Sequence, residues 1–393
     1  DLTLIYSEER LEGRVRFETP THLADRRAPA DRPAPPEIPA DADAYLFFTS
    51  GSTGRPKGVP LTHAGYHWAV MQFGFLHDVL QGGAALVAAP LFHMNAQFHI
   101  KSILSVGGTA ILTPHFEARS FLTAAERHEA VRLTGVPTMF ELAVRELESG
   151  FQADLSNVRS IALGSAPVSI GLIDRLQRRF SNAVITNGYG TTEIGPATFG
   201  PHPAGKPAPP LSLGFPMPGV RVRLDGPRAP HEGVLKVKTK MLTPGYLNLP
   251  EETAKKFDQG WYDTGDKMRR DDDGFYFFVG RADDMFVCGG ENIYPGEVEK
   301  RLETHPAIHQ AAVVPVEDDI KGALPVAFLV VAADAALTVD EVKQYALERG
   351  PAYAHPRFVY FETELPLSGV NKVDKVTLVD WAHSRRADGA RAG

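Results

Sequence analysis

Cys288 is the only cysteine in 393 residues, which excludes an internal disulfide and any metal site assembled from clustered thiolates. A lone thiol fits a reducing compartment, so the cytoplasm is the expected location. No apolar run reaches the ~18 residues that a membrane-spanning helix needs, and no secretory leader pattern is present. Surplus basic charge is missing as well. Lys+Arg total 41 against 48 Asp+Glu, a formal net charge of −7. Nucleic acid is therefore not an expected partner, because phosphate backbones are gripped mainly by excess Lys and Arg. The sequence has no internal repeat, and it lacks the Gly-x-x-x-x-Gly-Lys-Ser/Thr phosphate loop.

What is present begins with a hydrophobic content of 43%, which fits a full core in one large domain or two to three ordinary ones. Residues 28–41, rich in Pro, Ala and Asp, read as an extended linker. From Tyr45 to Asn187, strand-like runs (109–112, 158–163, 183–186) alternate with helical ones (118–128, 137–148, 169–180). That alternation predicts mostly parallel sheets covered by helices. Residues 211–278 hold short alternating runs broken by Gly and Pro, which predict an antiparallel, barrel-like region. After Asp283 the pattern is compact α+β, with helices at 295–303 and 339–348 and strands near 311–316 and 326–331. The fold class is thus α/β: layered β-α sheets and a small antiparallel region, then a small α+β unit.

The most informative stretch follows the apolar run Ala44-Tyr45-Leu46-Phe47-Phe48. It reads Thr49-Ser50-Gly51-Ser52-Thr53-Gly54-Arg55-Pro56-Lys57-Gly58. Glycines let a backbone turn its N–H groups toward an anion, hydroxyls add donors, and one lysine supplies a point charge. Such a loop is built to hold a polyphosphate.

This loop resembles the phosphate loop of the adenylate-forming superfamily of acyl-CoA synthetases, peptide-synthetase adenylation domains and luciferases. Further motifs follow in that family's order. Asn187-Gly188-Tyr189-Gly190-Thr191-Thr192-Glu193 resembles its adenine and magnesium motif, and Trp261-Tyr262-Asp263-Thr264-Gly265-Asp266 its ribose motif. Gly280-Arg281-Ala282-Asp283-Asp284 with Gly289-Gly290-Glu291-Asn292 resembles its hinge and thioester-forming segment. Leu365-Pro366 and Asn371-Lys372-Val373 resemble the segment of its C-terminal catalytic lysine; the Asn-Lys pair is similar to benzoate-type ligases such as 4-chlorobenzoate-CoA ligases. The resemblance runs from about Tyr45 to the C-terminus.

The resemblance implies an AMP-forming carboxylate–CoA ligase using ATP, Mg²⁺ and CoA. A carboxylic acid and ATP give acyl-AMP and pyrophosphate, and the CoA thiol then takes the acyl group. Thr49, Ser50, Gly51, Ser52, Thr53, Gly54 and Lys57 would hold the β- and γ-phosphates. Asn187, Gly188, Tyr189, Gly190 and Thr191 would surround adenine, with Gly164, Ser165 and Ala166 alongside. Thr192 would donate to the α-phosphate and Glu193 ligate Mg²⁺. Asp266, Arg281 and Phe278 would hold the nucleoside. Lys372 would orient the carboxylate against the α-phosphate. His93, Met94, Asn95, Gly188 and Ile194 would border the acyl pocket. Asp283 would be the hinge of a mobile C-terminal domain, 283–393, rotating against the adenylation core, 1–282. Gly289, Gly290, Glu291, Tyr353, His355 and Arg357 would serve the CoA step.

Bland alternatives stand beside these roles. Thr-Thr-Glu is also a helix N-cap pattern. Asp263 and Asp266 suit a turn around Gly265, and Asp263 is expected to be structural. His93 and His99, six residues apart without Cys or acidic partners, do not form a metal pair. The expected substrate is an aromatic, alicyclic or medium-chain acid, with Gly188 giving a roomier pocket. A carrier protein is the alternative acceptor to CoA. Family members usually carry a longer segment upstream, so an incomplete core, and with it a non-catalytic nucleotide-binding module, is the other alternative.

Overall fold

Two short runs that end on glycine, Arg132–Gly135 and Ser160–Gly164, become buried parallel strands here. The computed structural model describes residues 5–6, 37–49, 56–74, 76–80, 82–113, 115–318, 320–332, 335–368 and 372–391. Six parallel strands lie in the spatial order Ile5–Tyr6, Thr109–Leu112, Ala84–Val87, Arg132–Gly135, Ser160–Gly164 and Val184–Gly188. Strands buried on both faces read as continuous apolar runs, and Arg132–Gly135 and Ser160–Gly164 are buried throughout. Helices Ala118–Arg127, Pro137–Glu148 and Ile170–Arg179 pack on this sheet. Their starts are set by Glu117, which accepts from the Arg119 and Ser120 amides, by Pro137 in the first turn, and by Ser169, which accepts from the Leu172 amide. Phe121 and Phe140 meet edge to face at 5.9 Å in the core between them.

Strand Asp43–Thr49 pairs antiparallel with Lys57–Thr62, and Thr49 sits opposite Lys57. The predicted phosphate loop therefore joins two antiparallel strands; Ser50, Gly51, Ser52, Thr53 and Gly54 lie outside the described residues. So does most of the expected 28–41 linker, and so does Asn371.

The region after Leu211 is antiparallel, as its alternating runs predict. Arg221–Arg228, Glu232–Lys238 and Trp261–Arg270 pair in turn, and Trp261–Arg270 also carries Phe257–Asp258 and Tyr276–Arg281.

A further five-stranded sheet follows, built on Gly322–Val331. That strand pairs antiparallel with Ile308–Asp318 and Phe286–Cys288, and parallel with Phe358–Glu362; Glu291–Ile293 pairs outside Phe286–Cys288. Strand alternation sorts its residues cleanly. Ala311, Val313, Ala327 and Leu329 face helices Pro295–Leu302 and Val339–Arg349. Ala312, Val314, Val326 and Phe328 face Leu378 and Ala382 of helix Lys375–Arg391. The chain passes between these two sheets over residues 282–285, which include Asp283. Among the described residues, no helix is long and apolar enough to cross a membrane.

Candidate active site

Gly164 and Gly188 end adjacent parallel strands at one edge of the sheet, so Ser165-Ala166 and Tyr189-Gly190-Thr191-Thr192-Glu193 emerge side by side. In open parallel sheets the crevice outside the carboxyl ends of the strands is the natural ligand site. Ser165 holds φ +67°, a costly conformation for a residue with a side chain. Its Oγ accepts from Asn95 Nδ2 at 3.1 Å. Asn95 opens helix Met94–Ser105, whose N-cap is His93. The His93 Nε2 is buried without a hydrogen-bond partner, and burial, then the charge of Lys372, holds its pKa below the usual histidine value. Met94 and buried Ile194 belong to the apolar cluster beneath.

A polar chain crosses the site from this sheet to the antiparallel one. Tyr189 donates its hydroxyl to Asp266 Oδ2 at 2.5 Å, and Arg281 donates to Asp266 Oδ1 at 3.0 Å. Asp266 is 5% exposed, and burial raises its pKa against the opposing pull of Arg281 and Tyr189. Arg281 also grips Asp283 with two parallel bonds of 2.8 and 2.7 Å, the fork geometry that suits guanidinium and carboxylate. The ribose-motif aspartate and the hinge aspartate thus share one arginine. Asp263 instead accepts from the Gly265 amide at 2.9 Å and pairs with Lys236, as a turn residue does. Asn187 donates to the Leu211 carbonyl, and Phe278 packs on the same apolar cluster as Tyr189.

Lys372 arrives from the far end of the chain. The segment carrying it turns back on itself, with the Ser368 amide donating to the Lys372 carbonyl at 2.7 Å and a bridge between Leu367 and Val373. Much of the residue's surface remains open, yet loss of water around the ammonium lowers its pKa; Asp266 opposes that shift and Arg281 adds to it. The Lys372 ammonium therefore feels the charges of Asp266 and Arg281, and His93 feels that of Lys372, although Lys372 stands 279 positions from His93.

Glu193 is 6% exposed, and its Oε1 accepts from the Tyr246 hydroxyl at 2.9 Å. Lys57 is nearly buried, paired with Glu252 at 2.7 Å and standing 5.0 Å from the centre of the Tyr246 ring. Its ammonium therefore already has a carboxylate partner. Thr192 is half-buried beside Glu193, and the Thr191 Oγ1 is buried without a partner. Gly190 lies against backbone, where an added Cβ would stand 2.2 Å from the Gly195 carbonyl oxygen.

The residues expected to serve CoA gather elsewhere. Gly289 (φ +60°) and Gly290 (φ +87°) form the two-residue turn between Phe286–Cys288 and Glu291–Ile293, a geometry that requires glycine-like residues. A Cβ at either would meet nothing within 4 Å, so positive φ alone explains both glycines. Strand Glu291–Ile293 packs beside the turn Ala352–Ala354, which brings Tyr353, His355 and Arg357 to the same end of the sheet. His355 and Arg357 are hydrogen-bonded to each other, and burial holds the His355 pKa down.

Tyr246 and Glu252 were not singled out in the sequence. The signal for Glu252 was a helix start, Pro250-Glu251-Glu252, and for Tyr246 only a tyrosine after Gly245. Neither pattern says which distant group it meets.

Comparison with known proteins agrees with this geometry. The profile of the AMP-binding enzyme family matches residues 4–247, and that of the AMP-binding enzyme C-terminal domain matches 297–372. A feruloyl-CoA synthase from Amycolatopsis sp is 36% identical over 87% of this chain and 70% of its own length. The anthranilate CoA ligase AuaEII, solved in complex with anthranoyl-AMP, is 26% identical with a TM-score of 0.76 over 86% of this chain and 67% of its own. ATP-bound MatB from Rhodopseudomonas palustris is 25% identical with a TM-score of 0.77 over 87% of this chain and 69% of its own. The chain belongs to the AMP-binding enzyme family, within the adenylate-forming superfamily of acyl-CoA synthetases and ligases.

Proposed function

We propose that the protein is an AMP-forming carboxylate–CoA ligase, acting on a small acid in which an aromatic ring is the favoured group. The observation that carries this reading is the convergence of Lys372 with Asp266, Arg281 and His93. Activation requires a carboxylate oxygen to attack the α-phosphorus while pyrophosphate leaves. Two anions must approach, and an ammonium fixed between them offsets their repulsion and orients the attack. Thr192 donates to the α-phosphate, and Phe278 packs beside the nucleoside. The Tyr189 ring, its hydroxyl tied to Asp266, is a fixed platform for adenine. Asp266 already accepts two bonds, but a carboxylate has about four lone-pair directions, which leaves room for ribose hydroxyls.

A Mg²⁺ ion fits beside Glu193. Mg²⁺ is typically held by one or two carboxylates together with substrate phosphates, and Glu193 offers a hard oxygen donor held in place by Tyr246. Among the described residues, no cluster of three or more His, Cys, Asp or Glu is arranged to cage a metal. Bound there, the ion would neutralise charge on the leaving pyrophosphate.

The second half-reaction, attack of the CoA thiol on the acyl carbonyl with release of AMP, is assigned to the Gly289–Glu291 turn with Tyr353, His355 and Arg357. We read residues 1–282 as the adenylation core and 283–393 as the domain that turns about Asp283, exchanging the Lys372 loop for that turn. His93, Asn95, Met94, Ile194 and Gly188 border the acid. At Gly188 an added Cβ would meet only the Leu163 carbonyl oxygen, at 3.3 Å, so a flat group finds space there. The relatives named for feruloyl and anthranilate favour an aromatic acid. A cytoplasmic location fits the single unpaired thiol.

Lys372→Ala in the full-length protein tests the reading. Acyl-AMP formation, followed by pyrophosphate release, should fall ~10²–10³-fold, the scale for one preorganised electrostatic contact. Thioester formation from supplied acyl-AMP should stay near the unsubstituted rate. Equal loss in both steps would overturn the assignment.

A further inference from the structure

We propose that Tyr246 is a positioning residue that holds the metal-binding carboxylate, Glu193, and the phosphate-loop lysine, Lys57, at a fixed separation across the triphosphate. The proposal rests on the reading of Glu193 as the Mg²⁺ ligand. Tyr246 meets both groups with different parts of one side chain. Its hydroxyl donates to Glu193 Oε1 at 2.9 Å, and its ring lies 5.0 Å from Lys57 Nζ. Glu252 holds the same ammonium from the other side at 2.7 Å. Lys57 is thus clamped between a carboxylate and a π face, both of which favour a cation.

Tyr246 is itself immobilised. It is 8% exposed and packs edge to face on Phe257 at 5.5 Å. Its amide donates to Thr253 Oγ1 at 2.9 Å. The neighbouring Leu247 amide donates to the Gly58 carbonyl at 2.8 Å, and the Thr243 amide to the Glu193 carbonyl at 2.9 Å. Residues 243–247 are therefore stitched to the strand that follows the phosphate loop and to the backbone of Glu193. Gly245 (φ +147°) sits so close to Thr253 that a Cβ would come within 2.6 Å of its Cγ2, which keeps this segment against the helix carrying Glu252.

The two halves of the side chain can be removed separately. Tyr246→Phe deletes the bond to Glu193 and keeps the ring under Lys57. Tyr246→Leu deletes both. Binding of ATP to the full-length protein is measured by calorimetry with Mg²⁺ and with EDTA, alongside Glu193→Gln, and thermal unfolding checks that each variant is folded. Tyr246→Phe should weaken Mg·ATP about tenfold, as loss of a hydrogen bond to a charged group does, and leave metal-free ATP within about twofold. Tyr246→Leu should weaken both. Glu193→Gln should lose most of the advantage that Mg²⁺ gives, and adding Tyr246→Phe to it should cost nothing further. If Glu193→Gln loses that advantage while Tyr246→Phe matches the unsubstituted protein, the positioning role is wrong and the metal reading stands. If a folded Tyr246→Phe weakens ATP equally with and without Mg²⁺, its role is only structural and the proposal fails. If Glu193→Gln keeps the full Mg²⁺ advantage, the metal reading falls and takes the proposal with it.

Discussion

Glu303 is placed where a carboxylate should not be, and replacing it with glutamine should make the protein more stable as pH rises. The residue follows helix Pro295–Leu302, at the end where backbone carbonyls already concentrate negative charge. Its Oε1 accepts from the Ala311 amide at 3.1 Å. Burial, then Glu299 and Glu141, raise its pKa to about 8, against the opposing pull of that amide and of Lys300. Lys300 is a weak counter-charge, being itself half-buried and bonded to the Phe278 carbonyl. In the folded protein Glu303 therefore carries a proton at pH 7, whereas unfolded it would ionise near 4.5. Between those values the native state binds the extra proton, so stability is full below about 4.5 and falls as pH rises toward 8. The slope is at most about 1.4 kcal/mol per pH unit, a ceiling of roughly 3 kcal/mol by pH 7. Partial contact of the residue with solvent trims it. Glutamine keeps the acceptor for Ala311 and cannot ionise. Hydrogen exchange of strand Ile308–Asp318 in Glu303→Gln and in the unsubstituted protein, compared at each pH, cancels the intrinsic exchange rate. The two should match near pH 4, and protection should favour glutamine increasingly up to pH 8. A difference that does not change with pH would refute the reasoning.

Glu141 has the opposite sign. Arg175, Arg145 and His309 outweigh its burial and hold its pKa at about 2, so its contribution is present above about 4.5 and is lost as pH falls toward 2. Glu141→Gln should flatten acid unfolding followed by circular dichroism; an unchanged acid limb would count against this. Asp283→Pro should freeze one domain orientation, letting acyl-AMP form while CoA-ester production falls. Because Asp283 also holds Arg281, Asp283→Asn is the control: it weakens that ion pair without fixing φ and should leave the two steps in proportion. If folded Asp283→Pro completes both steps normally, the two-orientation mechanism does not operate. Gly190→Ala drives a methyl into the Gly195 carbonyl and should cost about 1–3 kcal/mol, read as a lower Tm together with weaker ATP binding. Unchanged values for both would mean the loop relaxes freely.

Local features were legible wherever a short-range rule governs them. The helix predicted at 137–148 appears as Pro137–Glu148 because an N-terminal proline and a 3.6-residue apolar period act within the segment itself. The strand near 326–331 grows to Gly322–Val331 because sheet pairing extends past the apolar run that announces it. Gly289 and Gly290 turn the chain between two short strands, and Glu291 opens the second of them.

Convergence was not legible in this way. Tyr246 meets Glu193 across 53 positions, Tyr189 meets Asp266 across 77, and Lys57 meets Glu252 across 195. Each contact depends on sheet order and on how the antiparallel region docks, which no local period encodes. The resemblance named Glu193 and Lys57 for phosphate and metal, yet it did not show that one tyrosine touches both or that Lys57 already has a carboxylate partner. Nor did it show that Arg281 joins the ribose aspartate to the hinge. The amino-acid sequence by itself determined those elements that periodicity and capping mark, such as Pro137–Glu148, and the order of the motifs, through which the family resemblance implied the class of chemistry. Only the tertiary structure decided which charges are shared, which are buried and which side chains hold the others in place, because burial and pairing arise when distant segments exclude water from one another.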